Sequence, residues 1–180
     1  RLQTFVYASG TTMKPIFDAA RTAAKKRVAY AEGEEERVLR AAQIVVDEKV
    51  ARPTLIGRPA IIAQRIEKFG LRLKEGVDYD VVNTDFDHRY RDFWQTYHRM
   101  TERKGITQQV AKIEMRRRLT LIGAMMLHKG EVDGLICGTW GTTANHLLYI
   151  DQVIGKHAGG ADSTAQDVPV YACMNGLMLP

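Results

Sequence analysis

The residues best suited to chemistry lie in one stretch, DGLICGTWGTTANHLL, residues 133–148. The apolar run VDGLICG (132–138) reads as a buried strand, and a helix begins near Thr142 or Thr143. Between them, Gly138 and Gly141 permit close backbone approach, while Thr139, Thr142 and Thr143 add hydroxyl donors; Asn145 extends the polar set into the first helical turn. A strand that ends in such a turn and runs into a helix N-terminus presents unpaired N–H groups to an anion, phosphate above all. The spacing matches neither GxGxxG nor GxxxxGK[ST]. A Gly-rich turn with a threonine N-cap explains the same residues without a ligand.

The other charged and reactive residues give weaker signals. HRMTERKGIT (98–107) places Arg99, Arg103 and Lys104 at a helix end, where cations favour the dipole whether or not an anion binds. EMRRRL reads as a phosphate stripe or as a wet helix face, and the wet face is the simpler reading. No two of the five histidines, 88, 98, 128, 146 and 157, fall at the i, i+4 spacing of a helical metal pair, so no metal ligand is assigned. His146, in the helix after the turn, is placed either to bind an anion or to pack. Cys137 ends the strand without an evident base beside it and reads as a small hydrophobe. No residue qualifies as catalytic.

The elements that must position this turn follow from periodicity. Helix is expected over 12–26, with Ser9, Thr11 and Thr12 as capping oxygens, then a strand at RVAYAEG (27–33). EEERVLRAAQIVVDEKVA is an amphipathic helix with acids in its first turn, favourable at the positive end of the dipole. A strand at 52–59, a helix ending at Gly70, a strand at 79–85 and a helical section over 86–128 broken at RKGIT complete the approach to the turn. Within that section Gly105 ends one helix and Thr107 caps the next. KHAGGADSTAQD (156–167) is loop-like, and VPVYACMNGLMLP (168–180) reads as a final strand. Strands separated by helices in this rhythm imply a parallel sheet covered on both faces.

Composition bounds the function. The 180 residues carry 26 Lys and Arg against 21 Asp and Glu, a net charge of +5 spread along the chain, which suits a small anionic ligand as well as nucleic acid. The two cysteines, Cys137 and Cys173, form neither a CxxC pair nor a disulfide framework, which fits a reducing cytoplasm. No apolar run approaches the roughly 20 residues of a membrane span.

The order RVAYAEGEEERVLRAA, PTLIG, RKGIT, VDGLICGTWGTTANHLLYIDQVIG and YACMNGLMLP resembles the phosphate acetyltransferase (phosphotransacetylase) family. With ASGTTMKPIFDAAR in front, it is similar to the phosphotransacetylase-like C-terminal domain of bacterial hybrid NADP-dependent malic enzymes. The resemblance implies a three-layer α/β sandwich with a mainly parallel sheet, of the kind shared with isocitrate and isopropylmalate dehydrogenases. It implies acetyl-CoA, or CoA with acetyl phosphate, as ligand. It divides the chain into a connecting segment with the first helix, 1–26, and the N-terminal part of the domain, 27–180. On the same basis the family's second half, with its catalytic serine, arginine and aspartate, would follow Pro180, and the NADP and Mg or Mn sites of a malic enzyme would precede Arg1.

Two departures from the family pattern matter. Active members carry an arginine in an LRKxKG helix end where this chain has Thr101 in MTERKG, and another in TTxxxxRPxLQ where this chain has Leu148. Both arginines serve anionic groups, and neither threonine nor leucine replaces a guanidinium clamp. The resemblance therefore implies a non-catalytic regulatory domain that binds acetyl-CoA or a related CoA ester through Gly138, Thr139, Gly141, Thr142, Thr143, Asn145, Arg103 and Lys104. It also implies at least a dimer, with no nucleic acid or membrane as partner. The alternatives are an active phosphate acetyltransferase and a purely structural oligomerisation domain, with Met125, Met126 and Met178 among its contacts.

Overall fold

Short β-rich runs joined through helices pair as parallel strands, because each crossover returns the chain to the same end of the sheet. The computed structural model describes residues 10–155 and has this arrangement. Helix α1 (Gly10–Thr22) leads to β1 (Lys26–Tyr30), α2 (Glu36–Asp47), β2 (Ala51–Ile56), α3 (Pro59–Lys68) and β3 (Asp80–Val82). Three helices follow, α4 (Tyr90–Thr101), α5 (Gln108–Arg117) and α6 (Leu119–His128), then β4 (Gly134–Ile136) and α7 (Thr143–Val153). The strand order is β3-β2-β1-β4, and all three pairings are parallel.

Alternation along the strands divides the core into two layers. Ala29, Ile56 and Val82 face α4 to α7, which contribute Phe93, Tyr97, Met115, Met125 and Tyr149. Tyr30 and Leu55 point the other way, onto Leu39 and Ala42 of α2 and Ile62 and Ile66 of α3. Sheet between two helical layers is the three-layer sandwich expected from the sequence. At the amino ends of the strands, the Arg27 N–H donates to Asp133 Oδ2 and the Asp133 N–H to Arg27 O, each at 2.8 Å. Arg52 of β2 grips Asp80 of β3 with two hydrogen bonds of 2.7 Å, which hold the Asp80 carboxyl below its ordinary range.

Some boundaries differ from the expectation. The first helix ends at Thr22, short of residue 26, because Lys26 already pairs with Ala51. The runs 79–85 and 132–138 form strand only over Asp80–Val82 and Gly134–Ile136. The helix expected after Thr107 breaks at Arg118, whose φ of −111° and ψ of 96° are extended. The break follows a change of surroundings: α5 keeps a wet face, whereas α6 is buried from Thr120 through Met126. Met125 and Met126 are therefore core residues, not the subunit contacts the sequence suggested. Helix α6 lies close on β4, so close that a Cβ at Gly123 would overlap the Leu135 side chain. The loop 156–167 and the strand expected over 168–180, with Cys173 and Met178, lie outside the described residues, as does the Ser9 cap.

Candidate functional site

Strand β1 pairs with β2 on one side and, after the long helical excursion, with β4 on the other. The strand order changes direction at this point, with β2 and β4 on either side of β1, and open α/β sheets bind ligands beyond the carboxyl ends of the strands at such a place. Two loops meet there: 31–35 after β1, and 137–142 after β4. Residues 138–145 are exposed. Thr142 caps α7, its Oγ1 accepting the Asn145 N–H at 3.4 Å. Gly141 has a φ of +94°, which favours glycine.

Side chains from elsewhere hold this exposed turn. Glu32, only 8% exposed, accepts the Gly138 N–H on Oε1 at 3.1 Å. The Trp140 indole, 71% exposed, donates from Nε1 to Glu35 Oε2 at 3.1 Å. On the opposite flank His146 Nε2 lies 2.6 Å from the Trp140 carbonyl oxygen, and Nδ1 lies 2.7 Å from Thr120 Oγ1. A carbonyl only accepts, so Nε2 carries the proton, and in the neutral ring Nδ1 accepts from the threonine hydroxyl.

The structure gathers Gly138, Thr139, Gly141, Thr142, Thr143 and Asn145 into one turn. Arg103 and Lys104 lie exposed on a 3₁₀ turn, Glu102–Lys104, at the end of α4; among the described residues no hydrogen bond or ion pair joins them to the turn after β4. Thr101 is fully buried and bonds back to Tyr97 O at 2.7 Å, whereas Leu148 on α7 is 49% exposed. Two of the three EMRRRL cations face a ring or an acid: Arg116 stands 4.8 Å from the Tyr90 ring centroid, and Arg118 pairs with Glu114 at 3.1 Å. Cys137 is half-buried. Among the described residues no group of three or more His, Cys, Asp or Glu fits a metal ion, and no helix is long and apolar enough to cross a membrane.

Sequence reasoning missed Glu32, Glu35, Trp140 and Thr120. Glu32 was read as part of the strand run RVAYAEG and Glu35 as an acid at the dipole of α2, but both reach the turn after β4. A third, Glu34, takes Arg58 at 2.9 Å, and that hydrogen bond holds its carboxyl below the ordinary range. As a chemical surface the turn offers hydroxyls, backbone donors and an indole face. Both ring nitrogens of His146 are engaged, so the imidazole is not free to act as a base or to bind an anion.

The family model described as phosphate acetyl/butaryl transferase matches residues 11–178. The chain is 47% identical over 165 residues to the NAD-dependent malic enzyme of Rhizobium meliloti, covering 92% of this chain and 21% of that protein. It is 42% identical over its whole length to the NADP-dependent malic enzyme of Escherichia coli, covering 22% of it. A phosphate acetyltransferase from Nitratidesulfovibrio vulgaris is 36% identical over 123 residues, 68% of this chain and 17% of the enzyme. The chain thus spans about a fifth of the length of these relatives. Among solved structures, the EutD phosphotransacetylase from Staphylococcus aureus superposes with a TM-score of 0.71 at 20% identity, over 83% of this chain and 45% of that one.

Proposed function

Since the chain belongs to the phosphate acetyl/butaryl transferase family, we propose that it binds a CoA ester, acetyl-CoA foremost, without processing it, as the regulatory domain of a malic enzyme. One observation carries the reading. At the two positions where the family resemblance calls for anion-binding arginines, this chain has a fully buried threonine bonded to its own helix and an exposed leucine. In this reading the strand-end turn still receives the ligand, without the two cations that would grip its anionic groups.

In this proposal the parent polypeptide oxidatively decarboxylates malate to pyruvate and CO2, using NADP and Mg or Mn held outside this chain. The relatives' names divide between NAD and NADP, and that choice belongs to the parent's other parts. Acetyl-CoA reports a surplus of what pyruvate feeds, so its binding inhibits. A coupling of about 1–3 kcal/mol between two domain arrangements is enough for such control. The turn 138–145 takes the acyl end, and Arg103 and Lys104 offer charge to the phosphates. Self-association, at least to a dimer in the cytoplasm, uses exposed apolar positions such as Val110 and Ile113 of α5.

The test is a titration of the full-length parent with acetyl-CoA, following malate-dependent reduction of the nicotinamide alongside acetyl phosphate turnover. Inhibition without acetyl transfer is expected. Turnover of acetyl phosphate would instead establish a working transferase. Malic activity indifferent to acetyl-CoA would leave the domain a scaffold.

A further inference from the structure

The turn after β4 is exposed, yet a side chain anchored in the core ties it down. Thr120, at the start of α6, is buried, and its hydroxyl meets His146 Nδ1; the far side of the ring donates from Nε2 to the Trp140 carbonyl. The ring therefore spans the distance between a core helix and the peptide that joins Trp140 to Gly141. That peptide would otherwise rotate with little steric opposition, because it is bordered by glycine. Space confirms the pairing: a Cβ at Gly141 would come within 3.3 Å of His146 Nε2, so glycine leaves room for the ring.

The orientation has a consequence for binding. All peptides described are trans, so the carbonyl of Trp140 and the N–H of Gly141 point in opposite directions across one planar unit. With the carbonyl held against His146, the Gly141 N–H is turned away from the ring, and no acceptor among the described residues takes it. Glu32 and Glu35 brace the preceding residues from the other flank, through Gly138 N and Trp140 Nε1. Within the reading that this turn receives a CoA ester, we propose that His146 is a positioning residue: it aims the Gly141 N–H as a hydrogen-bond donor to the thioester carbonyl of the ligand. The imidazole itself touches no ligand, since both its nitrogens are committed.

The experiment uses the full-length polypeptide as wild type, His146→Ala, His146→Gln and Thr120→Val. A glutamine amide can donate to the Trp140 carbonyl as the imidazole does, whereas alanine cannot. Hydrogen exchange by mass spectrometry reads the turn without ligand. Peptides covering 138–145 are expected to exchange faster in His146→Ala, with those covering 119–128 unchanged and His146→Gln close to wild type. Acetyl-CoA titrated calorimetrically is expected to bind roughly tenfold more weakly to His146→Ala, the effect of one lost hydrogen bond, with most of the affinity restored in His146→Gln. If His146→Ala does not fold, Thr120→Val removes the ring's anchor and is expected to give the same pattern in weaker form. Unchanged exchange at 138–145, or a glutamine variant as impaired as alanine, overturns the proposal. Failure of wild type to bind acetyl-CoA removes the CoA-ester reading and with it the thioester donor, and the exchange data then decide whether His146 orients the turn.

Discussion

After β2 the chain turns in Gly57 and Arg58 and enters α3 at Pro59; after β4 it uses residues 137–142 to reach α7. Both turns lean on the loop that follows β1. The first is closed: the Gly57 N–H donates to Val82 O at 3.0 Å, and Arg58 takes Glu34 through its backbone N–H, Nε and Nη2, each at 2.9 Å. The second is open, with Trp140 and the threonines toward solvent, and its shape is imposed from a distance by Glu32, Glu35 and His146. Remote groups hold both turns, but in the first they take the backbone N–H groups of Gly57 and Arg58 and leave nothing to offer a ligand. In the second the Gly141 N–H has no acceptor among the described residues, so the turn keeps its geometry and still has a donor to spare.

The contrast can be tested by damaging each turn separately. The largest effect is expected at the floor of the open one. Gly123→Val drives a branched side chain into Leu135 and Ile56, displaces α6 from β4, and is expected to cost about 3 kcal/mol in urea unfolding, the upper range of overpacking. A loss under about 1 kcal/mol would mean that α6 and β4 separate easily. Next comes the cap. Thr142→Ala is expected to cost about 1 kcal/mol, since the first turn of α7 loses its side-chain acceptor, whereas the N-cap of α3, Arg58, makes no side-chain cap bond to lose.

The smallest effect concerns acid. Glu34 in the closed turn is held below its ordinary value of 4.5, first of all by the hydrogen bond from Arg58, so its stabilisation is complete above that value and fades as pH falls through the lowered one. Unfolding free energies measured from about pH 5 down to about pH 2 should fall less steeply in Glu34→Gln than in wild type. Equal slopes would show that the closed turn owes nothing to the charge.

Much of the scaffold could be read in advance, because periodicity is local. The apolar stripe Val38, Leu39, Ala42, Val45 and Val46 announced α2, which buries the first three, and the threonine before α7 announced its cap. The six turn residues stood out by composition after an apolar strand run, within one short stretch of the chain. What could not be read depends on partners far along the chain: Glu32 lies 106 residues from Gly138, and Glu35 lies 105 from Trp140. Nothing in the spacing of EGEEE distinguishes an acid that stabilises a helix dipole from one that crosses to another strand. The break at Arg118 was hidden for a related reason, as no glycine or proline marks it. It arises from where α6 is buried, which the local residues do not encode.

Among the described residues the outer strands of the sheet, β3 and β4, are each three residues long, while the inner pair run to five and six. An exposed strand edge is a template for unwanted association between newly made chains, and its reach grows with its length. Among the described residues, neither border is long enough to let a foreign strand register over more than a few hydrogen bonds. The same brevity beside the turn beyond β4 shortens the described edge on which another strand could pair.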